Sequence, residues 1–356
     1  MERQGKVRIR TKICPLFLCT QRAAFVQGRK RYMTWEFWFG ELVWASLFLA
    51  VPTALIPSTR RLGAILLALA LVLAAAEGWG IDADAAGYHG RLGLTAMIAL
   101  ALLLLAAWAV APARATWLRV SGHLLFILLA VALSLHMADF RNFQMPGGRL
   151  TPDAVPYGWY LNLDKPLIGF WLVMALPWVH PQRPGGAVLR AGVGGWLATS
   201  AVCMVLAMGL GMVGWDPKWP MNDALWVVVW LLNNLLLVTF AEEALFRGYI
   251  QGGLARLLAG RRHGDLLALC AAALLFGLAH ISGGWQWVAL AGTAGVGYGL
   301  AYRYGGLYAA MCAHFGLNAL HLFLFTYPMR DPGASVSNVA AMGTGLVNYF
   351  IGFAYN

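Results

Sequence analysis

The sequence predicts an all-α polytopic membrane bundle of about ten or eleven spans, and three observations carry that prediction. First, 60% of the 356 residues are hydrophobic and 12% are charged, where an ordinary soluble domain is roughly 45–50% apolar. Second, nearly uncharged runs recur, each close to the ~20 residues that cover a ~30 Å hydrocarbon core as a helix. Third, the runs are continuous rather than alternating. Backbone hydrogen bonding in lipid leaves helices or a closed barrel, and the missing alternation excludes the barrel.

In chain order the expected helices cover 35–57, 62–81, 92–111, 118–138, 166–180, 191–214, 223–246, 266–281, 287–304 and 306–327, with a weaker one at 336–354. The fifth is short for a full crossing and has room to begin earlier, near Tyr157. Glycine-rich joints, Gly283-Gly284 and Gly305-Gly306, set the eighth to tenth close together. Gly292, Gly295, Gly297 and Gly299 line the ninth, where small residues let backbones approach. Tryptophans near helix ends (Trp35, Trp79, Trp117, Trp215, Trp285) suit an interfacial belt. Cys203, Cys270 and Cys312 read as small core residues, and the five cysteines show no metal or disulfide spacing. The connection Asp139–Lys165, rich in proline and glycine, is the one loop long enough for a lid or docking segment.

The formal charge of +11 resides mostly in residues 1–31, which hold nine basic residues and one acid, Glu2. The rest is near neutral, so a nucleic-acid partner finds no support. This arm lacks the apolar stretch of a signal peptide. It reads either as a basic segment on an anionic leaflet or as an extension upstream of a start at Met33. The positive-inside rule, applied to the loops of the body, puts the face bearing Arg247, Arg256, Arg261 and Arg262 in the cytoplasm. Including the arm reverses that count. The body loops take precedence, because short loops follow the rule best, and Glu242 and Glu243 then lie near the cytoplasmic end of their helix.

Those two acids are the chain's most informative feature. They stand with Arg247 near the end of an apolar stretch running from Asp223 to Phe246, where each ionisable group costs roughly 3 kcal/mol or more. Glu243 and Arg247 are four apart on one helical face in the favourable acid-first order. Glu242 points about 100° away from Glu243. The simplest division gives Glu243 an ion pair with Arg247 and leaves Glu242 for a water or a metal; a single structural network of all three is the alternative. His280 follows Phe276 by four residues in the next span, and His314 precedes Asn318 by four in a later one. A histidine with an amide suits a metal ligand with its neighbour or a pair of oxyanion donors. Interhelical hydrogen bonding explains each equally well in isolation. His321 reads as a neighbour of the site or as filler, Asn233-Asn234 as a helix bridge, and Glu77 has no assigned role. His123, His136 and His180, at span ends, are expected to face water.

Taken together, Glu242-Glu243-Ala-Leu-Phe-Arg247, Phe276-Gly-Leu-Ala-His280 and His314-Phe-Gly-Leu-Asn318 resemble the motifs of the CPBP (CAAX protease and bacteriocin-processing, Abi) family, related to the type II CAAX prenyl endopeptidases. The likeness covers roughly residues 225–327. It implies an intramembrane endopeptidase in which Glu242 and His280 activate water while His314 and Asn318 stabilise the oxyanion, with Glu243 and Arg247 supporting. It leaves the cofactor open between zinc, held by Glu242, His280 and His314, and none; a metal-independent glutamate base is slightly favoured. The implied organisation is a basic arm (1–33), accessory helices (34–215), a catalytic core (216–330) and a C-terminal apolar segment (331–356). The implied partners are a membrane-associated protein or peptide substrate and the lipid bilayer, in a bacterial inner membrane with the site towards the cytoplasm. A non-catalytic immunity or scaffold protein that binds a peptide is the runner-up. An ion-coupled transporter is third, since the chain shows no inverted repeat.

Overall fold

A computed structural model describes residues 35–77, 88–89, 92–140 and 142–332. The expected segment 336–354, the arm, Trp79 and the side chain of Glu77 lie outside the described residues. The chain divides into two compact units, Met1–Trp38 and Phe39–Asn356, and, apart from the first four residues of the first helix, all that follows concerns the second.

The helices in chain order are α1 (Trp35–Leu55), α2 (Arg60–Glu77), α3 (Leu94–Ala109), α4 (Thr116–Ser134), α5 (Asp164–Ala175), α6 (Gly185–Gly209), α7 (Ala224–Leu257), α8 (Gly264–Leu278) and α9 (Trp285–Leu324). Among the described residues, five stretches are long and apolar enough to cross a membrane: Pro57–Ala76, Thr116–Ser134, Gly185–Gly209, Ala224–Leu257 and Trp285–Leu324. Ile65, Val72, Leu128, Val205 and Leu225 on their outward faces are largely exposed, a surface that suits lipid. The protein is an all-α polytopic membrane bundle. Trp117, Trp215 and Trp285 are exposed at segment ends, as an interfacial belt requires.

Three expectations are corrected. The fifth segment does not reach back towards Tyr157. Residues 160–162 are a strand, and α5 has only 12 residues, about 18 Å of helix at 1.5 Å per residue. Being buried from Pro166 to Val173, it is an internal strut and not a crossing. Cys203 is buried as expected, but Cys270 and Cys312 are exposed, because they fall on the outward faces of α8 and α9. Finally, none of the three end-of-span histidines faces open water. His180 is buried, the Nδ1 of His136 lies 2.6 Å from Asp164, and His123 is half-buried at 3.1 Å from the Tyr249 hydroxyl.

The ninth and tenth expected spans are two arms of α9. Gly306 interrupts them with φ 74°, a left-handed value that glycine alone adopts without strain. Tyr298 and His314 are 16 residues apart, which a straight helix would turn into about 24 Å, yet their rings stack at 4.5 Å. The chain therefore folds back at Gly306. Small residues let the first arm pack closely on α8 and α6: a Cβ on Gly277 would meet the Val288 carbonyl at 2.7 Å, and one on Gly195 would meet Ala301 at 2.9 Å.

The long loop is ordered against the end of the chain's core. Strands β1 (Tyr88–His89), β2 (Asn142–Gln144) and β3 (Tyr160–Asn162) form a small antiparallel sheet with Phe143 opposite Leu161. Further along, Val155 N donates to Met329 O and Asp331 N to Asp153 O. Asp153 accepts from Thr151 and Thr326, and Arg330 and Arg149 pair with Asp153 and Asp331 respectively. These contacts pin the loop to the segment after α9, and Trp226 Nε1 at the start of α7 donates to Pro146 O, so that the loop delivers Lys165 to the bundle interior.

Candidate active site

Helix α7 carries the site, and it is not uniformly α-helical. Two stretches, Asn233–Thr239 and Ala244–Gln251, are π-helical, and between them Phe240–Glu243 makes one α turn. Such wide turns often occur at functional sites. Their effect here is geometric. Asn234 and Glu242 are eight residues apart and would diverge by about 80° on a regular α-helix. The unwound turn takes up that angle, and both side chains line one cavity of about 120 Å³.

Glu243 is fully buried. Its Oε1 accepts from Arg247 Nη1 at 3.0 Å and from His314 Nδ1 at 2.8 Å. The Arg247 guanidinium, also fully buried, lies over the Phe276 ring at 4.3 Å and reaches the Gly295 carbonyl at 3.4 Å. His314 is sandwiched further by Tyr298, whose ring stacks on it. With Nδ1 donating to a carboxylate, Nε2 is the free ring nitrogen of His314. It faces Oε2 of Glu242 at 3.9 Å.

The other carboxylate is not unpaired. Lys165 Nζ stands 2.7 Å from Glu242 Oε1. His280 Nδ1 donates to the Phe276 carbonyl at 2.9 Å, an i to i−4 contact that frees its Nε2. Asn318 Nδ2 donates to Asn234 Oδ1 at 3.3 Å. Glu242, His280, His314 and Asn318 all line the same cavity with Lys165. Much of the remaining wall is apolar, including Met204, Leu290, Ala294 and Leu317, while Asn233, Asn234, His321, Tyr157, Tyr298 and Tyr327 add polar atoms to it. The structure thus gathers all six residues singled out from the sequence, four of them on the cavity wall and Glu243 with Arg247 packed behind His314.

Three contributors escaped the sequence reading. In the sequence Lys165 is only the last residue of the long connection; the one available signal is a lysine opening an apolar segment directly after an acid. Tyr298 had no polar pattern to mark it. Asn234 read as a helix bridge, and it does bridge, to Asn318. His321 lies one turn further, with Nε2 donating to Thr326 O at 3.2 Å.

A zinc ion would need Glu242, His280 and His314. The two histidines have their Nδ1 atoms anchored, as metal-bound histidines do. However, the ammonium of Lys165 already holds one Glu242 oxygen and would repel a second cation nearby. Among the described residues no three His, Cys, Asp or Glu side chains group closely enough to hold a metal. The residues present do not fit a metal centre.

This geometry sits inside a recognisable segment: residues 224–320 match the family model described as Type II CAAX prenyl endopeptidase Rce1-like. The match places this segment with the CAAX-protease family. That match implies a protease with a peptide or protein substrate, and the apolar helices make it an integral membrane protein. The matched segment begins with α7 and ends within α9, and so contains every motif residue but not Lys165. No curated protein and no solved structure matches the chain.

Proposed function

We propose that the protein is an intramembrane endopeptidase that hydrolyses a peptide bond of a membrane-associated protein or peptide with a glutamate-activated water. The single observation that carries this reading is the convergence of Glu242, His280, His314 and Asn318, from three helices, on one cavity.

In this mechanism a water sits against Glu242 Oε2. His280 Nε2, left open because Nδ1 is bound to Phe276 O, accepts one of its hydrogens and orients it. Glu242 takes the other proton as the oxygen attacks the scissile carbonyl. General-base assistance of this kind is worth roughly 10²–10⁴-fold. The negative charge then develops on the carbonyl oxygen, where two donors serve it. One is the second amide hydrogen of Asn318, the first being committed to Asn234. The other is His314, whose Nδ1 is held by Glu243 so that Nε2 faces the cavity. Oxyanion donors contribute about 10²–10³-fold each. As the intermediate collapses, Glu242 passes its proton to the leaving amine, which balances the cycle without a metal.

Glu243 and Arg247 supply position. Arg247 neutralises the buried carboxylate, and that carboxylate fixes the rotation of His314. The apolar walls suit an apolar segment or lipid-modified chain end, in keeping with the family's prenyl-endopeptidase description. The charge distribution of the short loops supports an orientation with the site towards the cytoplasm, and the family resemblance is the ground for a bacterial inner membrane.

The test compares membrane-protein termini in cells carrying the wild type with those carrying Glu242→Ala at matched abundance. New termini that vanish in the variant support the reading. Identical termini across growth conditions, with the phenotype retained, would replace it with a peptide-binding scaffold.

A further inference from the structure

The family-matched segment, 224–320, does not by itself account for the surroundings of Glu242. Its closest charged partner comes from elsewhere in the chain. Lys165, near the start of α5, reaches Oε1 of Glu242 at 2.7 Å, and both side chains are largely shielded, at 13% and 14% exposure. The preceding residue explains how the lysine is held. Asp164 is fully buried, its Oδ2 lies 2.6 Å from His136 Nδ1, and its Oδ1 accepts from the backbone N–H of Lys165 at 2.8 Å. Asp164 thereby ties the backbone at Lys165 to the end of α4, while the sheet on its other side fixes the approach of the chain.

We propose that Lys165 is a positioning residue for Glu242, so that the accessory half of the chain completes the active site. This rests on the proteolytic reading above. A carboxylate has two oxygens, and its rotation decides which one meets the water. With Oε1 held by the ammonium, Oε2 is the oxygen turned towards His314 Nε2, 3.9 Å away. The groups that face Glu242 are therefore unlike on its two sides: a cation from α5 on one, the imidazoles of α8 and α9 on the other. Without the lysine nothing on α7 would choose between the two orientations, because Glu243 and Arg247 are engaged with His314 and with each other. The role is one of geometry and charge acting through Glu242, since no reacting atom needs to touch Lys165.

The experiment uses the full chain in its membrane, with the Glu242-dependent termini as the readout. Lys165→Met is expected to lower the rate of their formation at saturating substrate by about 10-fold or more, with KM changed less than about 3-fold, as for an interaction used in the transition state. Lys165→Arg, which keeps the charge and a donor, is expected to recover a measurable part of that rate. In the Glu242→Gln background Lys165→Met should change the melting temperature less than it does in the wild type, the non-additivity of a contacting pair. If Lys165→Met does not fold, Lys165→Gln takes its place and should lose rate in the same way. Glu242-dependent cleavage undiminished by Lys165→Met overturns the positioning role alone, as does additivity of the melting shifts. Absence of Glu242-dependent cleavage in the wild type overturns the proteolytic reading and this role together.

Discussion

One oxygen of Glu243 serves both Arg247 and His314, accepting at 3.0 Å from the guanidinium and at 2.8 Å from the imidazole Nδ1. The second acid of the Glu-Glu pair is thus a hinge between a buried cation and a histidine on another helix, with no face open to the cavity. Replacing it with alanine strands the guanidinium in the protein interior. Glu243→Ala is expected to destabilise the fold by about 3–5 kcal/mol, the usual cost of breaking a buried pair from one side, and to abolish cleavage through His314. Thermal unfolding in detergent measures the first effect, and wild-type stability would contradict it.

The two acids should separate experimentally. Glu242→Gln leaves the Glu243 network untouched, so its melting temperature is expected to stay much closer to the wild type's than that of Glu243→Ala, while cleavage falls by roughly 10²-fold or more. Asn318→Ala is expected to lower the rate by about 10²–10³-fold with the fold retained. Rate measurements on folded protein, checked by size-exclusion profiles, decide both.

A glutamate-activated water needs no metal, and Lys165 occupies the side of Glu242 where one would compete. Dialysis against a strong chelator is expected to leave the cleavage rate unchanged. A loss of rate that added zinc restores would put Glu242, His280 and His314 into a ligand set and displace the mechanism.

Gly277 lies within the Phe276–His280 motif, where a Cβ would press on the Val288 carbonyl at 2.7 Å and on Gly292 Cα at 3.1 Å. Gly277→Ala must push α8 and the first arm of α9 apart. Overpacking of this kind costs about 1–3 kcal/mol, and the shift carries His280 with it. Lower stability together with a slower rate is expected; a variant matching the wild type in both would show that the two helices separate freely.

The loop over the site carries a pH-sensitive clasp. Burial pushes the Asp153 carboxyl upward, but hydrogen bonds from Thr151 and Thr326, and the nearby Arg330, outweigh it and hold the group below the usual carboxylate range. A folded value below the unfolded one stabilises the clasp fully above the ordinary carboxylate range and is lost as pH falls through the folded value. Amide exchange protection at Val155 and Asp331, whose N–H groups bridge the clasp, is expected to drop on acidification relative to the rest of the protein. In Asp153→Asn that extra drop should disappear.

Sequence alone determined the helical membrane class and singled out the residues that the structure gathers on and behind one cavity. The reason is locality: apolar runs report the solvent of each segment directly, and the pairs Glu243/Arg247, Phe276/His280 and His314/Asn318 share faces through helix geometry within one turn. What only the tertiary structure decided depends on longer reach. The unwinding of α7 turned Asn234 towards the cavity of Glu242, the fold-back at Gly306 stacked Tyr298 on His314, and the pinned loop brought Lys165 to Glu242. The same packing made α5 an internal strut in place of a crossing. Each of these is set by how helices meet, a quantity that hydropathy does not encode, since a lipid-facing leucine and a core leucine read alike.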